Sequence, residues 1–436
     1  MTTTTRLRWI VFGLAGASLM AGSIVVGRHD VAFANWVRTL LVVSIGSGLL
    51  VFAAAAMWER GAPGRGLLAA ILVLGVACRL VVMCSDQALS DDAARYHWDG
   101  KLLARGLNPY LYAPSDSHLA RLRVDRLDRM VNHPTLHTVY PPLAEGLFAI
   151  AYLLSPGRFA GFHGIALLSE LLAWFVLVRL LGRRGLPRSR LLLVAWLPLL
   201  VFEGYLPGHV DILALPFLIL FVGEVENGRP VRAGVLLGLA SLIKPFALIF
   251  LPAALGEFRL RRGASLLVAV LITIMIGYIP FLQAGHWLLD SMWVMATTWY
   301  FNGSLAAVLE SLLPVPAAHA VLAILLVALV LASARWGGGF LQRCLLAFAA
   351  FIVCTPTLYP WYLFWILPFL VLLPESSLLA LALLVPMVEL VLIGFRTDGT
   401  WILPPWVRIA EYLPFFGLLG FGAVRGRGMF RRGSES

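Results

Sequence analysis

Charge is scarce in this chain. Of its 436 residues only 13% are Asp, Glu, Lys or Arg, 60% belong to the hydrophobic set, and the mean hydropathy is +0.87. A soluble domain carries about 25% charged residues, so a soluble enzyme is excluded. Lysine is scarcer still: Lys101 and Lys244 are the only two among 34 basic residues, and the rest are arginine. Cysteine is limited to Cys78, Cys84, Cys344 and Cys354, all inside apolar stretches and without paired ligand spacing. That pattern argues against a disulfide framework or a thiolate metal centre, and for small core hydrophobes. No Gly-x-x-x-x-Gly-Lys-Ser/Thr loop occurs, and no polar block exceeds about 80 residues, so a nucleotide-driven machine has no domain to sit in.

What is present is a succession of apolar runs from residue 9 to residue 424, read most simply as one polytopic membrane domain spanning residues 1–436. The net charge of +11 points to lipid head groups and away from nucleic acid. The first run follows Arg6 and Arg8 and reads as a retained anchor rather than a cleaved leader. Arginine clusters at Arg60/Arg65, Arg183–Arg190, Arg229/Arg232, Arg259–Arg262, Arg335/Arg343 and Arg425–Arg432 assign those loops to the cytoplasm. Counting between them predicts an all-α transmembrane bundle of about 12–14 membrane segments with both ends inside. The runs 232–243 and 246–256 flank Lys244-Pro245 and predict a shallow hairpin, and the short run 142–155 predicts a juxtamembrane helix at the outer interface.

This topology leaves one large outer loop, residues 85–163, ahead of the remaining bundle, residues 164–424. The loop holds the densest polar chemistry: Ser90-Asp91-Asp92-Ala93-Ala94-Arg95-Tyr96-His97-Trp98-Asp99-Gly100, then Gly106-Leu107-Asn108-Pro109-Tyr110, then His133, His137 and Tyr140-Pro141-Pro142. Residues 91–105 fit an amphipathic helix with Ala94, Trp98, Leu102 and Leu103 near one side and Asp92, Arg95, Tyr96 and Asp99 on overlapping faces. Such a helix presents carboxylates beside an arginine just outside the membrane. It also leaves a second reading open, in which Asp91 or Asp92 caps the helix.

In motif order and spacing the chain resembles the multi-spanning GT-C glycosyltransferases, especially the bacterial polyprenyl-phosphate-mannose-dependent mannosyltransferases. The likeness rests on the Asp91–Gly100 stretch, Gly106–Tyr110 and Tyr140-Pro141-Pro142-Leu143. It extends through Glu203 with Gly208-His209-Val210-Asp211, Ala240–Pro245, Phe301-Asn302-Gly303-Ser304, and Pro360-Trp361-Tyr362 with Trp365. One departure is Tyr359, where histidine is expected before Pro-Trp-Tyr. The resemblance implies a multi-pass protein of a bacterial inner membrane with its active site on the periplasmic side. It implies an inverting transfer of a sugar, mannose by closest analogy, from a polyprenyl-phosphate donor to a hydroxyl of a glycolipid or glycan acceptor in cell-envelope glycolipid synthesis.

The residues accept those roles chemically. An attacking hydroxyl must lose a proton, and a phosphate leaving group needs none, so one carboxylate suffices where glycoside hydrolysis uses two. Asp92 matches the family's first-loop aspartate and is the expected base, with Asp91 as substitute. Lys244 and Arg95 are the expected donor-phosphate ligands. A lysine within an apolar run costs about 2.5–3.5 kcal/mol on insertion scales and asks for a partner: the donor phosphate, or Glu203 or Asp211. Expected substrate contacts are Tyr96, Asp99, Asn108, Tyr110, His137, Tyr140, His209, Asp211, Asn302, Tyr359 and Tyr362. His133 and His137 lie four apart but lack a third ligand of suitable spacing, so neither a metal nor another cofactor is expected. The expected partners are the lipid-linked donor, the acceptor and membrane lipids. The competing class is a secondary transporter or flippase of lipid-linked or small polar substrates, for which Lys244, Glu170 and Glu389 are the charged traces.

Overall fold

A computed structural model describes residues 3–28, 32–59, 64–85, 89–206, 208–336 and 338–431. The topology anchors Arg60 and Arg432, and the side chain of Arg65, lie outside the described residues. Among the described residues the chain is helical and without strands; an isolated bridge joins Phe301 and Asn302 to Thr357. The all-α polytopic bundle expected from the apolar runs is the fold found.

Among the described residues, eight helices are long and apolar enough to cross a membrane. They are α1 (Thr3–Gly27), α2 (Phe33–Met57), α3 (Arg65–Met83) and Ala160–Arg183, followed by Leu260–Ala284, Val315–Ala334, Ser376–Asp398 and Pro405–Phe430. Two further apolar runs, expected as continuous crossings at 190–203 and 211–223, are instead broken. They form Arg188–Leu191, Leu192–Ala195, Pro198–Tyr205, Val210–Ala214 and Leu215–Glu226. The run 360–373 likewise divides into Pro360–Trp365 and Leu367–Leu372. The breaks coincide with Pro198, Pro216, Pro360 and Pro368 at or near the start of a new element, where the missing N–H costs nothing. These pieces are almost wholly buried, and broken backbone at membrane depth is tolerated where protein surrounds it or where it lines a cavity.

A hairpin forms about Lys244, with Pro230–Ser241 and Pro245–Leu255 on either side of the break, but it is not the shallow one expected, because its tip lies at the far end from the arginine clusters. Its first arm begins beside Gly228, whose carbonyl accepts a bond from Arg262, so both neighbouring arginine clusters sit at one end. At the other end the Leu242 carbonyl accepts from Leu143 and Ala144, tying the hairpin tip to the outer-loop helix Pro142–Leu154.

Within residues 85–163, α4 (Asp92–Ala104) and α5 (Pro142–Leu154) pack on each other. A Cβ at Gly100 would collide with the Phe148 carbonyl, which is why a glycine follows Asp99 at this crossing. α4 differs from the amphipathic expectation: every residue from Ala93 to Leu102 is buried. Its charged side chains Arg95, Asp99 and Lys101 are buried with local partners, while His97 Nε2 stays 3.9 Å from Asp125 and Asp128. Arg95 Nε donates to Asp99 at 2.8 Å, and Lys101 Nζ reaches Asp125 at 2.9 Å and Asp128 at 2.5 Å. The lysine clamps the Val124–Asp128 turn onto the helix.

Candidate active site

Asp91 and Asp92 begin α4, yet neither caps it. Asp91 is the N-cap residue and makes no side-chain cap bond, and it is Ser90 Oγ that accepts from the Asp92 N–H at 3.1 Å. Both carboxylates turn instead to Asn132, whose single amide donates to Asp91 Oδ1 and Asp92 Oδ1, each at 2.9 Å. Asp92 then faces His209, its Oδ2 lying 3.6 Å from Nδ1, and retains 24% side-chain exposure. Burial acts to raise the Asp92 pKa, but the His209 contact, Asn132 and the Lys244 charge outweigh it and hold this carboxyl below its ordinary range. Asp91 moves the other way: loss of hydration, with the Asp92 charge added, raises it. Two adjacent carboxylates are thus driven apart, and the one kept ionised points inward.

His209 is placed by a turn that needs glycine. Gly208 sits at φ +73° and a Cβ there would press on the Phe162 ring. The imidazole is fully buried, stacked on Trp361 with ring centroids 3.5 Å apart, and its Nε2 lies 3.9 Å from Glu203 Oε2. Trp361 continues a ladder of rings. Tyr359 lies 4.5 Å beyond it and nearly parallel, Phe301 is 5.1 Å further, and Trp401 is 5.3 Å further again. Tyr359, standing where relatives are expected to carry histidine, is therefore a stacking element here. On the other side of Asp92, Tyr96 accepts the Val210 N–H at 3.3 Å and packs among Tyr140, Phe148 and Phe162.

Lys244 closes the site. Its ammonium bonds both oxygens of Asp211 at 3.0 Å, lies 4.9 Å from the Tyr362 ring and 5.2 Å from the Phe246 ring, and keeps 14% exposure. Asp211 is buried and also accepts from Trp365 Nε1 at 2.6 Å. Of the two partners weighed from the sequence, the acid contact is made by Asp211.

Asp92, Tyr96, His209, Asp211, Lys244, Tyr359 and Tyr362 thus adjoin one another through the rings of Trp361 and Trp365. Other predicted residues fall elsewhere. Arg95 and Asp99 pair inside α4, beside a Glu145 carboxyl that accepts from Thr138 at 2.5 Å. Burial raises both Asp99 and Glu145, the Asp99 charge adding to the Glu145 shift. Asn108 Oδ1 accepts from the Tyr110 N–H at 3.0 Å, and Tyr110 Oη donates to the Tyr140 carbonyl at 2.6 Å, a buried brace beneath Phe281. His137 packs at a tilt against Trp287 and His133 against Trp299. Asn302, at φ 55°, donates to Glu411 at 2.8 Å behind the ring ladder. His97, Asp125 and Asp128 also converge within ligating distance, and Lys101 supplies a cation to that cluster.

Asn132 escaped the sequence reading. It lies 40 residues from Asp92 in an irregular stretch, and no periodicity or motif marks it.

Residues 138–358, just over half of the chain, match glycosyltransferase family 87. The chain belongs to that family. The match takes in Glu203, His209, Asp211 and Lys244, while Asp91 and Asp92 lie on the α4 side of it. No curated protein matches the chain. Family and fold together make it a multi-pass membrane glycosyltransferase.

Proposed function

We propose that this glycosyltransferase moves a sugar, mannose in the first instance, from a polyprenyl-phosphate donor to a hydroxyl of a glycolipid or glycan acceptor, with inversion, at the outer face of a bacterial inner membrane. One observation carries the proposal: the Asp92 carboxylate faces His209, which stacks on Trp361, and close by Lys244 pairs with Asp211 against the Tyr362 and Phe246 rings.

Asp92 takes the proton of the acceptor hydroxyl as the new bond to C1 forms, and the old C1–O bond breaks toward the phosphate. Lys244 has three N–H groups. Two are turned to Asp211, and the third is available to a phosphate oxygen. Asp211 and Trp365 fix the ammonium, so its geometry does not depend on the donor. The ring ladder offers stacking faces to sugar or acceptor. Arg95 Nε pairs with Asp99 and orients α4, so this reading gives the donor phosphate to Lys244 first. The transporter reading loses a trace, because Glu170 is fully engaged by Arg79 and Tyr205.

The test is Asp92→Asn, assayed with polyprenyl-phosphate mannose and a membrane glycolipid extract as acceptor. Shape is kept and the base is lost, so the expected result is a folded protein about 10²-fold slower or worse in kcat with donor binding retained. Full activity in Asp92→Asn would overturn the assignment.

A further inference from the structure

His209 has a buried ring with neither nitrogen hydrogen-bonded at ordinary length, although an acid stands opposite each: Asp92 at 3.6 Å from Nδ1 and Glu203 at 3.9 Å from Nε2. Buried polar groups are nearly always paired, so a ring left loose between two carboxyls requires a reason. Glu203 is itself buried, and its Oε2 is also without a hydrogen-bond partner. Unlike His97, which is loose only at Nε2, His209 is left open at both ring nitrogens.

We infer that His209 is the proton store of the transfer reaction: it accepts from Asp92 the proton that Asp92 has taken from the acceptor hydroxyl, and Glu203 balances the resulting charge. The inference rests on Asp92 being the base. Neutral His209 carries its proton on Nε2, toward Glu203, and presents the Nδ1 lone pair to Asp92. As the acceptor oxygen bonds to C1, the electron pair of the broken C1–O bond leaves with the phosphate and the hydroxyl proton lands on Asp92. That proton then passes to Nδ1, the ring becomes imidazolium, and Asp92 returns to carboxylate before the product departs.

Every side of the ring bears on this transfer. Asp92 faces it from α4, Glu203 from Pro198–Tyr205, and the Asp211 charge favours the cation from the turn that follows. Lys244 opposes it, although its ammonium is already held by Asp211. The face of Trp361, 3.5 Å away, stabilises a ring cation as a cation–π contact.

The experiment compares His209→Gln, Glu203→Gln and Asp92→Asn in the full-length purified protein with polyprenyl-phosphate mannose, reading kcat, donor KM and the pH profile of each. Glu203→Gln is expected to lower kcat about 10- to 100-fold with donor KM unchanged, because binding is intact and only proton storage is weakened. His209→Gln removes the group that keeps Asp92 ionised, so the acidic limb of its profile should move to higher pH. A merely structural histidine would change folding yield and leave the limb in place. Wild-type kcat and profile in folded Glu203→Gln and His209→Gln, with Asp92→Asn inactive, would overturn the store and leave the base standing. Activity in Asp92→Asn would overturn both. Where His209→Gln does not fold, the isosteric Glu203→Gln decides by its kcat alone.

Discussion

Two buried clusters of charge in this bundle are built on opposite principles. Between α3 and the span Ala160–Arg183, Arg79 forks onto both oxygens of Glu170 at 2.5 Å. It also donates to the carbonyls of Gly75, Ala195 and Val194 at 2.9, 2.7 and 3.1 Å, and the Trp174 ring covers it at 4.7 Å. Tyr205 adds a bond to Glu170 at 2.7 Å, and both charged side chains are fully buried. Around Asp92, by contrast, His209 makes no bond of ordinary length, Glu203 has a bare oxygen, and Lys244 keeps a free edge. The closed cluster has spent its donors on folding. The open one bonds Asp92 and Lys244 on one side but holds both nitrogens of His209 and one oxygen of Glu203 near, and not at, bonding distance.

The Arg79–Glu170 cluster should be the more sensitive of the two to substitution. Removing one partner of a buried pair strands the other charge at a cost of about 3–5 kcal/mol. Arg79→Ala is therefore expected to abolish the folded, detergent-stable protein, read as loss of the monodisperse peak and of the melting transition. The paired replacement Arg79→Met with Glu170→Met removes both charges and should recover much of the fold, since an apolar pair of similar volume is often neutral. Full activity in the folded double variant would confirm that this cluster is structural. Loss of activity at normal stability would place it in the reaction.

How much of this division was legible in the residues depends on the range of the interactions. Long apolar runs predict helices of membrane length, and the eight long spans among the described residues follow them closely, even where Pro280, Pro386 or Pro414 lies within one. The breaks at Pro198, Pro216 and Pro360 carry a local signal too, but hydropathy counting passes over it, so three expected crossings were drawn as continuous. Asp92, His209, Asp211 and Lys244 belong to motifs, and they do meet. Asn108, Tyr110 and Asn302 belong to motifs equally, yet they brace the backbone, because a motif marks a required residue without saying for what. Arg79 went unremarked inside an apolar run. Its meaning lies in Glu170, 91 positions away, and in carbonyls more than 100 positions away. Only the folded chain brings those together.

A smaller effect sharpens the comparison at Lys244, which stands between the two types. Losing its charge-assisted contact with the donor phosphate, about 1.5–3 kcal/mol, should lower kcat/KM for the lipid donor roughly 10- to 150-fold and leave acceptor binding nearly unchanged. Lys244→Met also strips buried Asp211 to its Trp365 bond, so the melting temperature should drop as well. Lys244→Met with Asp211→Asn removes the stranded charge. The double variant should regain thermal stability without regaining donor kinetics. Lys244→Arg should rescue only part of the loss, since a planar fork replaces a compact point charge. Normal donor kinetics in the stable double variant would make Lys244 a brace like Arg79.

The smallest effect expected separates the two adjacent aspartates. Asp92 lies below the ordinary carboxylate range in the folded protein, so its charged form contributes stability above the unfolded value, and that contribution is lost as pH falls through the folded one. As the base it must be ionised. The acidic limb of kcat/KM should then lie below the usual carboxylate range, with activity surviving acidification that would protonate a free aspartate. Asp91 is raised and shares the bridging amide of Asn132. Asp91→Asn removes a neighbouring negative charge, which should move the acidic limb of Asp92 slightly further down, nudge the melting temperature up at neutral pH, and change kcat by no more than a few fold. A limb above the ordinary range, together with an inactive Asp91→Asn, would exchange the roles: the raised, more exposed carboxyl would be the base, and the ionised inner one would hold His209 in place.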